Sequence, residues 1–116
     1  MNIQEVAQRL VELVREGKSN VAFEELYDQN IISIEGDGST FTGLPAVLQH
    51  NKDFQSQIEE FHGMQISEPI VAEAHFAVTM VVDATYTGGH RKILNEVCVY
   101  EVESGKIIKE QFFFPV

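Results

Sequence analysis

The sequence predicts a cone-shaped α+β barrel, in which three N-terminal helices pack on a strongly bent antiparallel sheet. Two observations predict this class. Apolar residues recur at helical spacing in the first half of the chain, and long runs of β-branched and aromatic residues fill the second half. With 116 residues the chain has the usual length of one domain, which we expect to span residues 1–116.

Two helices are predicted before residue 30. Asn2 can cap the first helix together with Glu5, and this helix runs until Gly17 with a regular apolar face. Ser19 or Asn20 can then cap a short second helix over residues 21–27. The link between the two helices is so short that they must form a hairpin or an elbow.

The third helix opens at Gly43, with Pro45 near its first turn, where the missing amide proton costs nothing. Its apolar face is predicted to extend as far as Phe61, with one polar interruption. The residues on this face are Val47, Leu48, Asn51, Phe54, Ile58 and Phe61. Asn51 either hydrogen-bonds the backbone or points into a wet cavity.

The strands begin with a short one over residues 31–35, which a Gly-Asp-Gly-Ser turn ends. Residues 41–43 are either a short strand or an extended link. Four longer strands are predicted to follow the third helix as an antiparallel meander, at residues 62–72, 75–86, 92–102 and 106–114.

The last two strands carry the most informative side chains. If Val102 faces Lys106 across the turn Glu103-Ser104-Gly105, two carboxylates, Glu96 and Glu110, share one face of the sheet. In this register Tyr100 faces Ile108, Cys98 faces Glu110 and Glu96 faces Phe112. The apolar and aromatic neighbours of the two carboxylates on that face are Leu94, Cys98, Tyr100, Phe112 and Phe114.

Composition and charge exclude several classes of function. Eight basic and eighteen acidic residues give a net charge of −10, which opposes binding to nucleic acid or to anionic membranes. The lone Cys98 allows no intramolecular disulfide. We find no signal peptide and no run long enough to span a membrane, so we expect a cytoplasmic protein.

Four stretches of the chain resemble the nuclear transport factor 2-like superfamily, and within it the SnoaL-like and ketosteroid isomerase-like proteins. These stretches are residues 13–18 (LVREGK), residues 25–27 (ELY) followed by 31–35 (IISIE), Gly43 at the third helix, and residues 96–100 (EVCVY) leading into 105–108 (GKII). None of them is a catalytic signature, and the fold hosts isomerases, cyclases and dehydratases as well as proteins of no known activity.

The resemblance implies a homodimer of cone-shaped subunits, each with an apolar pocket between the helices and the sheet. In the ketosteroid isomerases a carboxylate at the end of the first short strand is the general base, and Glu35 matches that position. In the same enzymes a protonated carboxylic acid, at the start of the pocket-facing run of the penultimate strand, donates a hydrogen bond to the substrate oxyanion. Glu96 matches the position of this acid. The oxyanion tyrosine of the first helix is replaced by Leu10, so steroid isomerisation itself is not expected.

The candidate catalytic residues are therefore Glu35 and Glu96, because burial in an apolar pocket raises the pKa of a carboxyl and suits it to proton transfer near neutral pH. Glu35 could instead be a solvated residue at a strand end, and Glu110 could pair with neighbours of Lys109 or with the dimer partner. The candidate ligand-binding residues are Tyr27, Asn51, His62, Cys98, Tyr100, Glu110, Phe112 and Phe114.

The four histidines form no metal motif, and we expect a surface or core position for each, with His62 as the best exception. We predict no metal and no cofactor. The favoured function is binding of a small, largely apolar molecule, with isomerisation or dehydration by a pocket carboxylate. The alternative is a binding or interaction module without catalysis, and in either case a second subunit is expected to cover the other sheet face.

Overall fold

The computed structural model describes residues 1–115. Its helices are α1 (Ile3–Arg15), α2 (Ser19–Leu26) and α3 (Leu44–Ser56). Its strands are β1 (Tyr27–Ile34), β2 (Thr40–Thr42), β3 (Ile58–Ile66), β4 (Ile70–Val71), β5 (His75–Tyr86), β6 (His90–Glu103) and β7 (Lys106–Phe113). The predicted α+β class with three helices is confirmed.

Helix α1 confirms its predicted start. The Asn2 side chain accepts a hydrogen bond from the Glu5 backbone at 2.9 Å, and the Glu5 carboxylate accepts one from the Asn2 backbone at 3.0 Å. This capping box satisfies two amide groups that the first turn leaves without partners. Val6 and Leu10 are among the residues that the helix buries.

Helix α2 differs from the prediction at both ends. Its N-cap is Lys18, without a side-chain hydrogen bond, and the helix ends at Leu26. Tyr27 begins β1, where it pairs with Ile107 of β7. The prediction that Tyr27 belongs to the helix was wrong because this long-range pairing outweighs local spacing.

Helix α3 is shorter than predicted, because it ends at Ser56. Ile58 and Phe61 continue its apolar spacing, yet both lie in β3, where they pair with Tyr86 and Ala84 of β5. The strand predicted for residues 62–72 is in fact two strands, β3 and β4, since residues 67–69 between them are not in a strand. Pro69, which ends that interruption, has no amide proton for a sheet.

The strands form one mixed sheet in the order β2-β1-β7-β6-β5-β3, with β4 also paired to β5. The predicted antiparallel meander is confirmed for β3, β5, β6 and β7. The prediction of a purely antiparallel sheet was wrong, since β1 runs parallel to β7. The strong bend stays a prediction, because strand pairing defines order and not curvature.

The hairpin between β6 and β7 corrects the predicted register. Ser104 and Gly105 form a two-residue turn with φ values of 51° and 77°, as a type I′ turn requires. A bulge follows, so that Tyr100 faces Glu110 and Cys98 faces Phe112, two residues away from the predicted pairs. A shift of two residues keeps Glu96, Cys98, Tyr100 and Glu110 on their predicted face. Ile107, which precedes the bulge, changes face and is buried in the core.

We call the sheet face that packs on the helices the inner face. Its buried residues join those of α1 in the hydrophobic core, and they include Phe76, Val78, Cys98, Tyr100 and Ile107. The outer face keeps large apolar side chains exposed, namely Ile32, Ile93, Val97 and Phe113. Within residues 1–115, no helix is long and apolar enough to cross a membrane.

Candidate active site

The most deeply buried carboxylate is Glu110, on the inner face of β7. Its side chain accepts hydrogen bonds from the Tyr27 hydroxyl and, at 2.8 Å, from the Ser33 hydroxyl. Both donors come from β1, and the parallel pairing places Ser33 directly beside Glu110. Only 3% of Glu110 is exposed, and this burial raises its pKa to about 7 despite the two hydrogen bonds, which lower it.

Glu96 lies on the same face of the neighbouring strand β6, opposite Met80 of β5. Burial raises the pKa of Glu96 to about 7, while a hydrogen bond from the Cys98 thiol, at 3.6 Å, lowers it. Burial also raises the pKa of that thiol, so Cys98 stays protonated and serves as a donor. Near neutral pH, Glu96 therefore exists both as a carboxylic acid and as a carboxylate.

Glu35 follows β1 and begins the turn to β2. Its Oε1 atom is 2.8 Å from Nε2 of His50, a residue of α3. The His50 ring also stacks on Phe41 of β2, with ring centroids 4.1 Å apart and an angle of 22° between the planes. The Glu35 side chain is 21% exposed, so it lies at the rim of the buried region and not free in solvent.

The three carboxylates are close enough to interact. After burial, the negative charge of Glu35 is one of the causes that raise the pKa of both Glu96 and Glu110. Within residues 1–115, no lysine or arginine forms an ion pair with any of these three carboxylates. The site is thus a cluster of like charges that lowers its energy by holding protons.

Three of the candidate aromatic residues lie on or next to the strands that carry the cluster. Tyr100 is buried and stacks on Phe76, with centroids 4.8 Å apart. Phe112 is partly buried against the core. The Phe114 ring covers Gly36, next to Glu35, so closely that a β-carbon at Gly36 would lie 2.8 Å from it.

Neither His62 nor Asn51, both candidate ligand-binding residues, hydrogen-bonds one of the three carboxylates within residues 1–115. His62 makes a 2.7 Å hydrogen bond with Thr85 and lies 3.5 Å from Glu60, so it belongs to the β3 edge. Asn51 is half-buried on α3 and makes no side-chain hydrogen bond within residues 1–115. Leu10, which the family resemblance matches to the tyrosine of the isomerases, is buried in the core.

Clefts on the described part of the chain include two that lie away from the carboxylates. One, of about 540 Å³, lies between the end of α1 and the inner face of β3, and its lining residues are Val14, Arg15, Gly17, Phe61, Met64, Gln65 and Ile66. The other, of about 370 Å³, borders Asp28 and Glu103. Neither lining includes Glu35, Glu96 or Glu110, so a cavity lined by the carboxylates stays a prediction.

Sequence reasoning missed His50 and Ser33 as members of the site. A signal for His50 was present, because it lies three residues after Val47 and four before Phe54, on the same helix face as both. Ser33 could have been found only by knowing that β1 pairs with β7. Among residues 1–115 no group of three or more His, Cys, Asp or Glu side chains could hold a metal ion.

Helices packed on one face of a mixed sheet give the chain the nuclear transport factor 2-like, or ketosteroid isomerase-like, fold. The profile of the SnoaL-like domain family matches residues 1–114, and the chain belongs to that family. No curated protein is similar enough to this chain to count as a match.

Solved structures extend this assignment. A protein from Mesorhizobium loti, provisionally named both a SnoaL-like polyketide cyclase and a carbohydrate phosphatase, is 32% identical, with a TM-score of 0.91 over 97% of this chain and 99% of that one. A nuclear transport factor 2-like protein of unknown function from Burkholderia pseudomallei is 17% identical, with a TM-score of 0.80 over 99% and 92% of the two chains.

A third structure is a hypothetical protein with a ketosteroid isomerase-like fold from Catenulispora acidiphila, in complex with trimethylamine. It is 14% identical, with a TM-score of 0.77 over 100% of this chain and 88% of that one. At this low identity the similarity shows the fold alone.

Proposed function

We propose that this protein binds a small, largely apolar carbonyl compound on its inner face and moves a proton on it. Glu35 is the general base and Glu96 the general acid. The observation that carries the proposal is the half-buried Glu96 carboxyl, whose pKa of about 7 keeps part of it protonated at neutral pH. A protonated carboxyl can donate a hydrogen bond, which a carboxylate cannot do.

In this reaction the Glu35 carboxylate takes the proton from the carbon beside the carbonyl group. The electron pair of that C–H bond moves onto the carbonyl oxygen, and the Glu96 carboxylic acid donates to this oxygen as negative charge develops there. The resulting enolate has three possible fates. If it is conjugated with a double bond, it can take the proton back from Glu35 at a more distant carbon; it can also attack a second carbonyl, or expel a β-hydroxyl group as water with the proton that Glu35 now holds. These outcomes are isomerisation, ring closure and dehydration, respectively.

The apolar cleft between α1 and β3 supports a largely apolar ligand. Ile66 and Met64 of this cleft lie on the inner face, where Ile66 pairs with Met80 and Met80 pairs with Glu96. The cleft is therefore two strands from Glu96, or about 10 Å at the usual strand spacing. A ligand of moderate size that rests in the cleft can reach the carboxylates across Met80.

The relatives support a small, largely apolar ligand, and one of them supports a carbonyl compound. The Mesorhizobium loti protein is provisionally named a polyketide cyclase, and ring closure of a polyketide is an attack of an enolate on a carbonyl. The Catenulispora acidiphila protein holds trimethylamine, a small molecule with three methyl groups.

Deuterium exchange tests the proposal without knowledge of the natural substrate. We expect the protein to speed the uptake of deuterium from heavy water beside the carbonyl of cyclic ketones and β-diketones, followed by proton NMR. Glu35→Gln and Glu96→Gln should each reduce this rate about a hundredfold, the usual contribution of one acid or base. His62→Gln is the matched control, because His62 lies outside the cluster, and it should keep the rate.

A second candidate function is ligand binding without catalysis. It is favoured by Leu10, which leaves the site without the tyrosine that completes the oxyanion site of the ketosteroid isomerases. If the ketones bind but exchange no faster than in buffer, the catalytic proposal is wrong and this binding role remains.

We also propose that the protein is a homodimer that pairs through the outer face. Val97 and Phe113 face each other there, and they are 43% and 49% exposed. Ile93 adds a further exposed apolar side chain on the same face, at 62%. A chain with a net charge of −10 repels a copy of itself except where its surface carries few charges, as at this apolar patch.

Sedimentation velocity tests the dimer. We expect twice the chain mass of 13.1 kDa for the wild-type protein and a single chain mass for Val97→Glu, which buries two like charges at the interface. Gln55→Glu adds the same charge on the exposed side of α3 and should stay dimeric. A wild-type protein that sediments as a monomer would contradict the proposal.

A further inference from the structure

His50 is held in place from two sides at the rim of the carboxylate cluster. Its Nε2 atom is 2.8 Å from Glu35, and its ring stacks on Phe41 at 4.1 Å. The two partners come from the β1-β2 hairpin, whereas His50 comes from α3, so the contact joins separate elements. The His50 side chain is 36% exposed, which places it between the buried carboxylates and solvent.

Glu35 has an electrostatic reason to turn away from the site. Its negative charge acts on Glu96 of β6 and on Glu110 of β7, while Asp37 lies two residues further along the same turn. Like charges repel, and a side chain that begins an exposed turn can reach water by a change of rotamer. In residues 1–115, His50 is the side chain that hydrogen-bonds Glu35 and opposes this movement.

We propose that His50 is a positioning residue, which keeps the Glu35 carboxylate turned toward Glu96. The imidazole donates its Nε2 proton to Oε1 of Glu35 and leaves Oε2 without that bond, available to take a proton from a ligand. The stack on Phe41 fixes the ring plane and therefore the direction of the hydrogen bond. The inference rests on the proposed function, in which Glu35 is the base that must face the ligand.

Titration of Glu96 reports on this arrangement, because the charge of Glu35 acts on it. The other titratable groups that face Glu96 are Cys98 and Tyr100 on β6, Tyr86 on β5 and Glu110 on β7. Carbon-13 NMR of the glutamate carboxyls gives the midpoint for Glu96 directly. Glu35→Gln should lower that midpoint by roughly half a pH unit or more, because a like charge is removed.

Two substitutions at His50 separate the hydrogen bond from the stack. His50→Phe keeps an aromatic ring against Phe41 and loses the donor, so Glu35 should turn outward and the Glu96 midpoint should fall, as in Glu35→Gln. His50→Gln retains an amide N–H that can reach Glu35, and it should keep the wild-type midpoint. If the midpoint in His50→Phe stays unchanged or rises, the positioning role is wrong.

The wild-type protein supplies a second readout in case His50→Phe fails to fold. Nitrogen-15 spectra of the imidazole should show the neutral ring protonated on Nε2, since that atom donates to Glu35. A neutral ring protonated on Nδ1 would overturn the proposal. Neither measurement needs a substrate, so a protein that exchanges no ketone proton would disprove the proposed catalysis and leave this positioning result to stand or fall separately.

Discussion

The free energy of unfolding is expected to fall as the pH rises from 5 to 8, which is unusual for a protein rich in carboxylates. Burial raises the pKa of Glu96 and of Glu110 from 4.5 to about 7. In the unfolded chain both groups lose their protons near pH 4.5, but in the folded chain they keep them until about pH 7. The folded state thus binds more protons within this window.

The direction of this pH dependence follows from the linkage between proton binding and folding. Where the folded state binds more protons than the unfolded state, stability decreases as the pH rises. The stabilisation is complete below about pH 4.5 and is lost as the pH passes through about 7. A shift from 4.5 to about 7 corresponds to about 3 kcal/mol for one group, and the pair should give less than twice this because each shift includes their mutual repulsion.

Urea unfolding followed by circular dichroism at several pH values measures this slope, since the chain has no tryptophan to serve as a fluorescent probe. The double variant Glu96→Gln, Glu110→Gln should be nearly flat between pH 5 and 8. Glu25→Gln, at an exposed ion pair with Arg9, should keep the wild-type slope. A flat wild-type profile would show that the two carboxyls are not protonated together in the folded protein.

The exposed carboxylates contribute little to the change in stability between pH 5 and 8. Hydrogen bonds from arginine side chains lower the pKa of Glu25 and of Asp83 below their ordinary values. The stability that such groups contribute is present above their unfolded pKa values and is lost only as the pH falls below about 4. Between pH 5 and 8 the carboxyls with raised pKa values, Glu96 and Glu110, therefore decide whether stability rises or falls with pH.

The sequence predicted which side chains share a face better than it predicted which residues pair. Glu96, Cys98, Tyr100 and Glu110 were grouped on one face, and the structure confirms this, although the pairs are shifted by two residues. A strand repeats its face every second residue, so an error of two positions leaves the grouping unchanged. The shorter turn and the bulge each shift the pairing by one residue, and neither leaves a clear mark in the sequence.

Helix ends that run into strands were less predictable than the capped start of α1. The capping box at Asn2 is local chemistry and was predicted, whereas Tyr27 and Ile58 leave their predicted helices for strand partners far along the chain. Ile58 lies four residues after Phe54, so its spacing fits a helix as well as an apolar strand. Only the pairing with Tyr86 decides between the two.

The candidate site combines local and non-local features in the same way. Glu35 at a strand end was found from its position in the sequence, but its contact with His50 depends on how α3 packs against the β1-β2 hairpin. The parallel pairing of β1 with β7 brings Tyr27 and Ser33 to Glu110. Contacts of this kind require the topology and cannot be derived from residue spacing.

Glu110→Ala is expected to destabilise the fold by about 3 kcal/mol at pH 6. The substitution removes the acceptor of two buried hydroxyls, those of Tyr27 and Ser33, and leaves a cavity between β1 and β7. An unsatisfied buried donor costs roughly 1–3 kcal/mol, and the lost packing adds to this. Chemical denaturation of both proteins at the same pH measures the difference.

Glu110→Gln separates the hydrogen bonds from the charge. Its carbonyl oxygen can accept from Tyr27, and its amide can donate to the oxygen of Ser33, so the loss at pH 6 should be about 1 kcal/mol. At pH 8 the wild-type carboxyl is ionised in a buried site, and the Gln variant should be the more stable of the two.

The two stability curves should therefore cross near pH 7, and Glu110→Ala should lie below both at every pH. A Gln variant that stays less stable than the wild type up to pH 9 would mean that Tyr27 and Ser33 stabilise the buried charge more strongly than burial opposes it. In that case Glu110 would be a permanent anion behind Glu96, and its repulsion would be a main cause of the protonation of Glu96 at neutral pH.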